Sequence, residues 1–127
     1  MASGRMRRVN EAVREVVSAH IADDIKDPRI GFVTVTSVEA SPDLRQARVF
    51  VTVLGSPTER EDALAGLRSA RGYLQAQVGD ELRMRRTPTL QFVYDDSTDR
   101  GLRISELLTA NLKEPDRDRP TAQGSDR

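Results

Sequence analysis

A chain of 127 residues is long enough for one domain with a two-layer core. It has no cysteine, which excludes a disulfide framework, a thiol nucleophile and a thiolate zinc site and suits a reducing cytoplasm. Its 20 basic and 20 acidic residues cancel, and no apolar run nears the ~20 residues needed to span a bilayer, so neither export nor membrane insertion is indicated.

In chain order, Met6, Val9, Val13, Val16, Val17, Ile21 and Ile25 recur at three- and four-residue intervals. That spacing predicts an amphipathic helix of about six turns, ending near Asp27-Pro28 because a residue before proline is pushed out of the helical region. The period then becomes two. Phe32, Thr34, Thr36 and Val38 alternate with Val33, Val35 and Ser37, and beyond the Ser41-Pro42-Asp43 turn Ala47, Val49, Val51 and Val53 alternate with Arg48, Phe50 and Thr52. This predicts a long β-hairpin.

Ser56-Pro57-Thr58-Glu59 signals a helix start, with Ser56 as cap, Pro57 where its missing N–H costs nothing, and Glu59 closing a capping box. Ala63, Leu64 and Leu67 form an apolar stripe that stops at Ala70-Arg71-Gly72; Leu74, Val78 and Leu82 resume it. A glycine inside a helical pattern costs about 1 kcal/mol relative to alanine, so packing or function must offset it. After Pro88, Leu90, Phe92 and Tyr94 alternate with Thr89, Gln91 and Val93 as a third strand. Ser97 to Leu112 reads as a weaker helix. Glu114 to Arg127 has no aliphatic residue larger than alanine and mixes charges with two prolines, as a disordered tail does. The order α-β-β-α-kink-α-β predicts an α+β two-layer domain over residues 1–112, with helices on one sheet face and a C-terminal helix, followed by a charged tail over 113–127.

Charge is segregated within the neutral total. Four arginines face two glutamates between Met1 and His20, and five arginines face two acids between Arg68 and Arg86. Acid gathers at Asp23-Asp24, Glu59-Glu61-Asp62 and Asp95-Asp96-Asp99. A neutral chain can therefore present a basic face of the kind phosphate binding requires. Nearly all the cations are arginine, whose planar fork meets phosphate oxygens two at a time, although genome composition accounts for that bias equally well.

The element order is that of type II KH-like domains, whose RNA-binding turn lies between the two consecutive helices. The Gly-x-x-Gly tetrad of that turn is absent, and Ala70-Arg71-Gly72 stands in its place. With Val33-Thr34-Val35-Thr36, Ser41-Pro42-Asp43-Leu44, Arg85-x-x-Pro88-x-Leu90-x-Phe92 and Asp95-Asp96-Ser97, the chain resembles the ribosome-binding factor A family of bacterial small-subunit assembly factors over roughly residues 5–112. The resemblance implies a non-enzymatic cytoplasmic protein without cofactor that binds the small (30S) ribosomal subunit and its rRNA. It further implies a role in late maturation, in processing of the rRNA 5′ end and in growth at low temperature, with an assembly GTPase as a possible releasing partner.

Candidate RNA-binding residues follow from charge and from the helix break. Breaking the helix frees N–H groups that favour phosphate, with Arg68 and Arg71 beside Ala70 and Gly72. The alternative is that Gly72 and Ala70 are small for close helix packing. Arg83, Arg85 and Arg86 end the second helix and serve phosphate contact or the helix dipole. Arg5, Arg7 and Arg8 precede the apolar stripe of the first helix without an acidic neighbour, and Arg45 and Arg48 lie at the second strand as a widened basic face or as its solvated side. His20, the single histidine, reads as a partly buried structural residue. Asp95 and Asp96 point to opposite faces if extended, which favours a turn or cap with Ser97 over a metal site. No nucleotide-phosphate loop, nucleophile elbow or histidine pair at metal spacing occurs. Most of Phe32, Phe50, Tyr73, Phe92 and Tyr94 fall at core-facing positions, so backbone and shape recognition of folded RNA is expected rather than base stacking. A monomer is the simplest expectation. Two rival readings remain: a KH-like protein-interaction module, and a metal-dependent nuclease using Asp95, Asp96 and Asp99.

Overall fold

Valine-rich alternation on one side of a strand pair and an aliphatic stripe on three helices leave one economical arrangement, helices stacked on a single sheet face. The computed structural model, which describes residues 3–97, has that arrangement. Its elements are α1 (Gly4–Asp23), β1 (Val33–Ala40), β2 (Gln46–Val53), α2 (Pro57–Ser69), α3 (Arg71–Glu81) and β3 (Thr89–Tyr94). The sheet order is β1-β2-β3, with β1 antiparallel and β3 parallel to the central β2. Ala47, Val49, Val51 and Val53 of β2 and Leu90 and Phe92 of β3 are buried beneath Val13, Val17, Leu67, Leu74 and Val78 of the helices. The predicted C-terminal helix and the 113–127 tail lie outside the described residues.

Helix α1 is capped by Ser3, whose hydroxyl accepts from the Met6 N–H at 3.1 Å. It closes at Asp24, earlier than the proline rule predicts, and Ile25 packs on the core from outside the helix. Asp27 and Pro28 belong instead to a turn, in which Asp27 accepts from the N–H groups of Arg29 and Ile30. The α2 capping box is present: Ser56 accepts from the Glu59 N–H and Glu59 from the Ser56 N–H. Such a cap contributes about 1 kcal/mol.

Strict alternation fails in β1. A bulge between Val35 and Ser37 leaves Thr36 out of register and shifts the parity, so Val38 shares the buried face with Val35. The Thr36 hydroxyl donates to the Asp95 carboxylate at 2.6 Å. Two motifs distant in sequence, Val33-Thr34-Val35-Thr36 and Asp95-Asp96-Ser97, thus meet through one bond that holds β3's end to the bulge.

The hairpin turn is built by two side chains. Ser41 donates to Asp43 at 2.7 Å and accepts from the Gln46 N–H at 3.1 Å, and Asp43 accepts from the Arg45 N–H at 3.0 Å. Leu44 completes the turn with φ 59°.

Candidate nucleic-acid interface

The helix break differs in detail from its sequence reading. Ala70, with φ −90° and ψ 3°, ends α2 and begins α3, while Gly72 lies within the first turn of α3. A Cβ added to Gly72 meets nothing within 4 Å, so close packing does not explain this glycine. Close approach belongs to Gly66, where a Cβ would fall 2.8 Å from Ile30 Cγ1, and to Gly79, which faces Thr87. The first turn of α3 has no side-chain cap among the described residues.

The residues singled out from the sequence divide between opposite ends of the sheet. At the hairpin end, the Ala40 N–H donates to Asn10 Oδ1 at 2.9 Å and brings the first half of α1 beside the end of β1. The Thr89 N–H donates to the Arg45 carbonyl at 2.9 Å and brings the approach to β3 beside the turn. Arg5, Arg7 and Arg8 of α1, Arg45 of the turn, Arg48 of β2, and Arg85 and Arg86 before β3 belong to the segments of this end, all exposed. Arg48 bonds Glu39 at 3.0 Å and lies 5.8 Å over the Phe50 ring. Arg45 is 3.7 Å from Asp43, a solvated pair of little energetic weight. Arg5, Arg8, Arg85 and Arg86 have no ion pair or hydrogen bond from their side chains among the described residues.

A groove of about 910 Å³ opens at this end. Met6 and Asn10 of α1, Ala40 and Pro42 of the hairpin, and Gln46 and Gln91 of adjacent strands line it. Arg48, named from the sequence, also lines it, whereas Asn10, Gln46 and Gln91 carry no sequence signal for a groove that forms only when distant segments meet.

At the other end, the break packs against the loop between α1 and β1. The Arg29 guanidinium donates to Asp27 Oδ2 at 2.7 Å and to Ser69 Oγ at 3.1 Å, and the Tyr73 hydroxyl donates to Asp24 Oδ2 at 2.5 Å. A groove of about 480 Å³ there is bordered by Asp24, Lys26, Asp27, Ser69, Ala70 and Tyr73. Arg68 is exposed and without a partner among the described residues; Arg71 is half-buried, with its Nε shielded and unbonded. Both carboxylates on the rim are bonded within the fold, and Lys26 stands beside them.

His20 occupies the same side. Its Nδ1 meets Asp24 and its Nε2 meets Glu81 at 2.5 Å, with the Tyr73 ring edge-on at 6.1 Å. The bonds to Asp24 and then Glu81 raise its pKa above the ordinary imidazole value. Asp24 is held below the ordinary carboxylate range, first by the Tyr73 hydroxyl and then by His20. The Arg29 hydrogen bonds lower Asp27 in the same way. The structural reading of His20 thus acquires a definite form, a link between the ends of α1 and α3.

Two further expectations change. Arg83 takes φ 52° after α3, and the N–H groups of Arg83 and Met84 bond the Asp80 and Gly79 carbonyls at 3.3 and 3.0 Å. Its backbone terminates the helix in a Schellman motif, in the conformation that favours glycine. The aromatic residues are less enclosed than expected: Phe92 is buried, Phe50 and Tyr94 are half-buried, and Phe32 and Tyr73 are 77 and 43% exposed. Phe32 lies outside the alternating register of β1, at the mouth of the hairpin, where its carbonyl accepts from the Leu54 N–H at 3.1 Å. Arg60 stacks over the Tyr94 ring at 3.9 Å, a contact with no sequence signal. The described residues contain no group of three metal-ligating side chains and no helix long and apolar enough to cross a membrane.

A profile of ribosome-binding factor A proteins matches residues 5–108, which contain every arginine of both ends. The chain belongs to the ribosome-binding factor A family. A relative of that name from Halothermothrix orenii is 44% identical over 115 residues, covering 91% of this chain and 94% of the relative. The crystal structure of ribosome-binding factor A from Thermus thermophilus superposes with a TM-score of 0.63 at 28% identity, covering 70% of this chain and 94% of that one. A Thermus thermophilus ribosome-binding factor A homology model, fitted into the cryo-EM map of a 30S complex, gives a TM-score of 0.59 at 28% identity and covers 69 and 92% of the two chains. Family members of known structure have a KH-like fold, and the α-β-β-α-α-β order and one-sided helical layer of this chain are that fold.

Proposed function

We propose that this chain binds the small ribosomal subunit through its rRNA and assists late maturation, including formation of the rRNA 5′ end, without catalysing a reaction. The observation that carries the reading is the gathering of Arg5, Arg8, Arg85 and Arg86 at the hairpin end, exposed and without partners among the described residues. Family membership supports it, as does the Thermus thermophilus relative that was fitted into a 30S complex. Cations left unpaired in the fold are available to release phosphate counterions on binding, and holding one rRNA conformation in preference to others needs no chemistry. Arg7, Arg45 and Arg48 widen this surface. Arg68, Arg71, Ala70 and Gly72 at the break form a second and smaller contact, and Arg83 beyond the end of α3 adds to the basic surface. The protein acts in the cytoplasm as a monomer, requires no cofactor, supports growth at low temperature and leaves the subunit when an assembly GTPase displaces it.

Co-sedimentation of the full chain with isolated small subunits across a salt series tests the reading. Retention at low salt, weakening as log[salt] rises, is the expected result. A chain that stays in the supernatant at low salt overturns it. A second reading, a protein-interaction module of KH-like fold, draws on Phe32 and Leu54, both 77% exposed at the mouth of the hairpin. It is favoured instead if binding to a protein partner proves indifferent to salt and no particle is retained.

A further inference from the structure

We infer that the groove at the hairpin end receives a single unstacked nucleotide of the bound RNA, read at its base edge by Gln46 and Gln91. The inference rests on the proposed rRNA binding and adds to it a base-reading site.

The groove's volume of about 910 Å³ lies in the range of ~300–1,000 Å³ typical of sites that enclose small ligands. Gln46 and Gln91 project from neighbouring strands, where β2 and β3 run parallel with Gln46 opposite Thr89 and Arg48 opposite Gln91. Gln91 Nε2 donates to Gln46 Oε1 at 3.3 Å. That single long bond leaves the Gln46 amide hydrogens and the Gln91 carbonyl open to a ligand. A donor and an acceptor side by side match the edge of a base, and neither attracts a phosphate as a cation does. Asn10 is oriented by the Ala40 N–H, which occupies its oxygen and leaves its amide hydrogens facing the ligand space. Met6 and Pro42 supply apolar walls for the face of a base.

The charges around the groove select the same class of occupant. Arg7 lies between Met6 and Asn10 in sequence, on the shoulder of the lining face of α1, and Arg45 immediately precedes Gln46. Both are exposed. The one carboxylate of the lining, Glu39, is already bonded to Arg48 at 3.0 Å, so a basic peptide finds no open anion there. Arg7 and Arg45 outside the lining, with neutral amides beside a paired Arg48 and Glu39 inside it, suit a nucleotide whose phosphates stay outside and whose base enters.

Fluorescence titration of the full chain with single-stranded RNA octamers of A, C, G and U, beside small-subunit co-sedimentation, tests this. The four octamers are expected to differ at least fivefold in affinity. In Gln46→Ala/Gln91→Ala the spread falls within twofold while the salt dependence stays as in the parent, and Gln46→Glu, which exchanges donors for an acceptor at the same shape, changes the order of preference. Arg7→Glu/Arg45→Glu weakens all four alike. Equal affinity for the four octamers, or retention of the spread by the double alanine variant, overturns the inference. With small-subunit binding intact, either of these removes the base-reading site alone, whereas loss of subunit binding by the parent chain removes the proposed function itself.

Discussion

The two ends of the sheet differ in how their charges are partnered. At the helix break, Arg29 is bonded to Asp27 and Ser69, and His20 lies between Asp24 and Glu81. At the hairpin end, Arg5, Arg8, Arg85 and Arg86 have no such partners among the described residues. The ends are separated by the eight-residue β1, roughly 25 Å at strand rise. A net charge of zero therefore conceals one end where, Arg68 and Arg71 apart, the named charges are paired, and another where four arginines are not. Under the proposed function the difference points to the hairpin end for phosphate contact, whereas the Gly-x-x-Gly analogy directs attention to the break.

The contrast is broken most directly by reversing charge at each end. Arg5→Glu/Arg8→Glu/Arg85→Glu/Arg86→Glu is expected to lower small-subunit affinity on the order of a hundredfold at moderate salt, and to flatten the log–log salt slope by about 0.7–0.9 for each phosphate no longer neutralised. Arg68→Glu should stay within about threefold of the parent, because the carboxylates of Asp24 and Asp27 already set the local potential. Co-sedimentation measures both. The reverse ranking would move the interface to the break.

Two glycines sharpen the comparison at the break itself. Gly66→Ala places a Cβ 2.8 Å from Ile30 Cγ1 and is expected to cost about 1–3 kcal/mol in urea unfolding, as overpacking does. Gly72→Ala meets open space and should stabilise the fold by about 0.5 kcal/mol. Its affinity is the informative quantity. A stabilised variant that binds small subunits tenfold more weakly would show that the bare backbone of Gly72 admits a ligand; unchanged binding leaves the hairpin end as the main contact.

Arg83 separates capping from binding. With φ 52° it occupies the left-handed C′ position of a Schellman motif, so Arg83→Gly is expected to raise stability by about 0.5–1 kcal/mol. If affinity is unchanged, the side chain is dispensable to RNA and only its backbone matters. A parallel drop in affinity would add Arg83 to the interface.

Residue types and their period made most of this fold legible. The Ser56 to Glu59 box, the valine alternation of β2 and the stripe of α1 are local signals that tertiary structure had no reason to override. The departures come from non-local contacts. Thr36 is bulged while its hydroxyl reaches Asp95, just past the end of β3 and fifty-nine residues away, and no periodicity within β1 announces that. Helix α1 ends at Asp23 with Asp24 as its cap although the pattern continues to Ile25, and Asp24 is bonded there by Tyr73 from α3. The arginines of the candidate site could be named from charge alone. Their division between two ends could not, because it depends on Asn10 meeting Ala40 and Thr89 meeting Arg45. The amides of Gln46 and Gln91 carry no charge and no motif, so only the register of β2 and β3 brings them forward.

The smallest expected effect tests whether the neutralised end is only structural. His20 is raised above its ordinary value of 6.5 by Asp24 and Glu81, so its stabilising contribution is complete below pH 6.5 and is lost as pH rises through the higher value it has in the fold. Asp24 is depressed below its ordinary 3.8, so its share is present above that pH and is lost as pH falls through the lower folded value. The link between α1 and α3 is therefore strongest between about pH 4 and 6.5. Because the side chains are 19, 33 and 48% exposed for His20, Asp24 and Glu81, solvent screens much of it. Between pH 6 and pH 9 the thermal midpoint of the parent should fall by about 1–3 °C more than that of His20→Gln. Small-subunit affinity over the same range should be equal in the two proteins. An affinity that follows His20 titration would mean that the α1–α3 link itself contributes to binding, beyond the arginines named at the two ends.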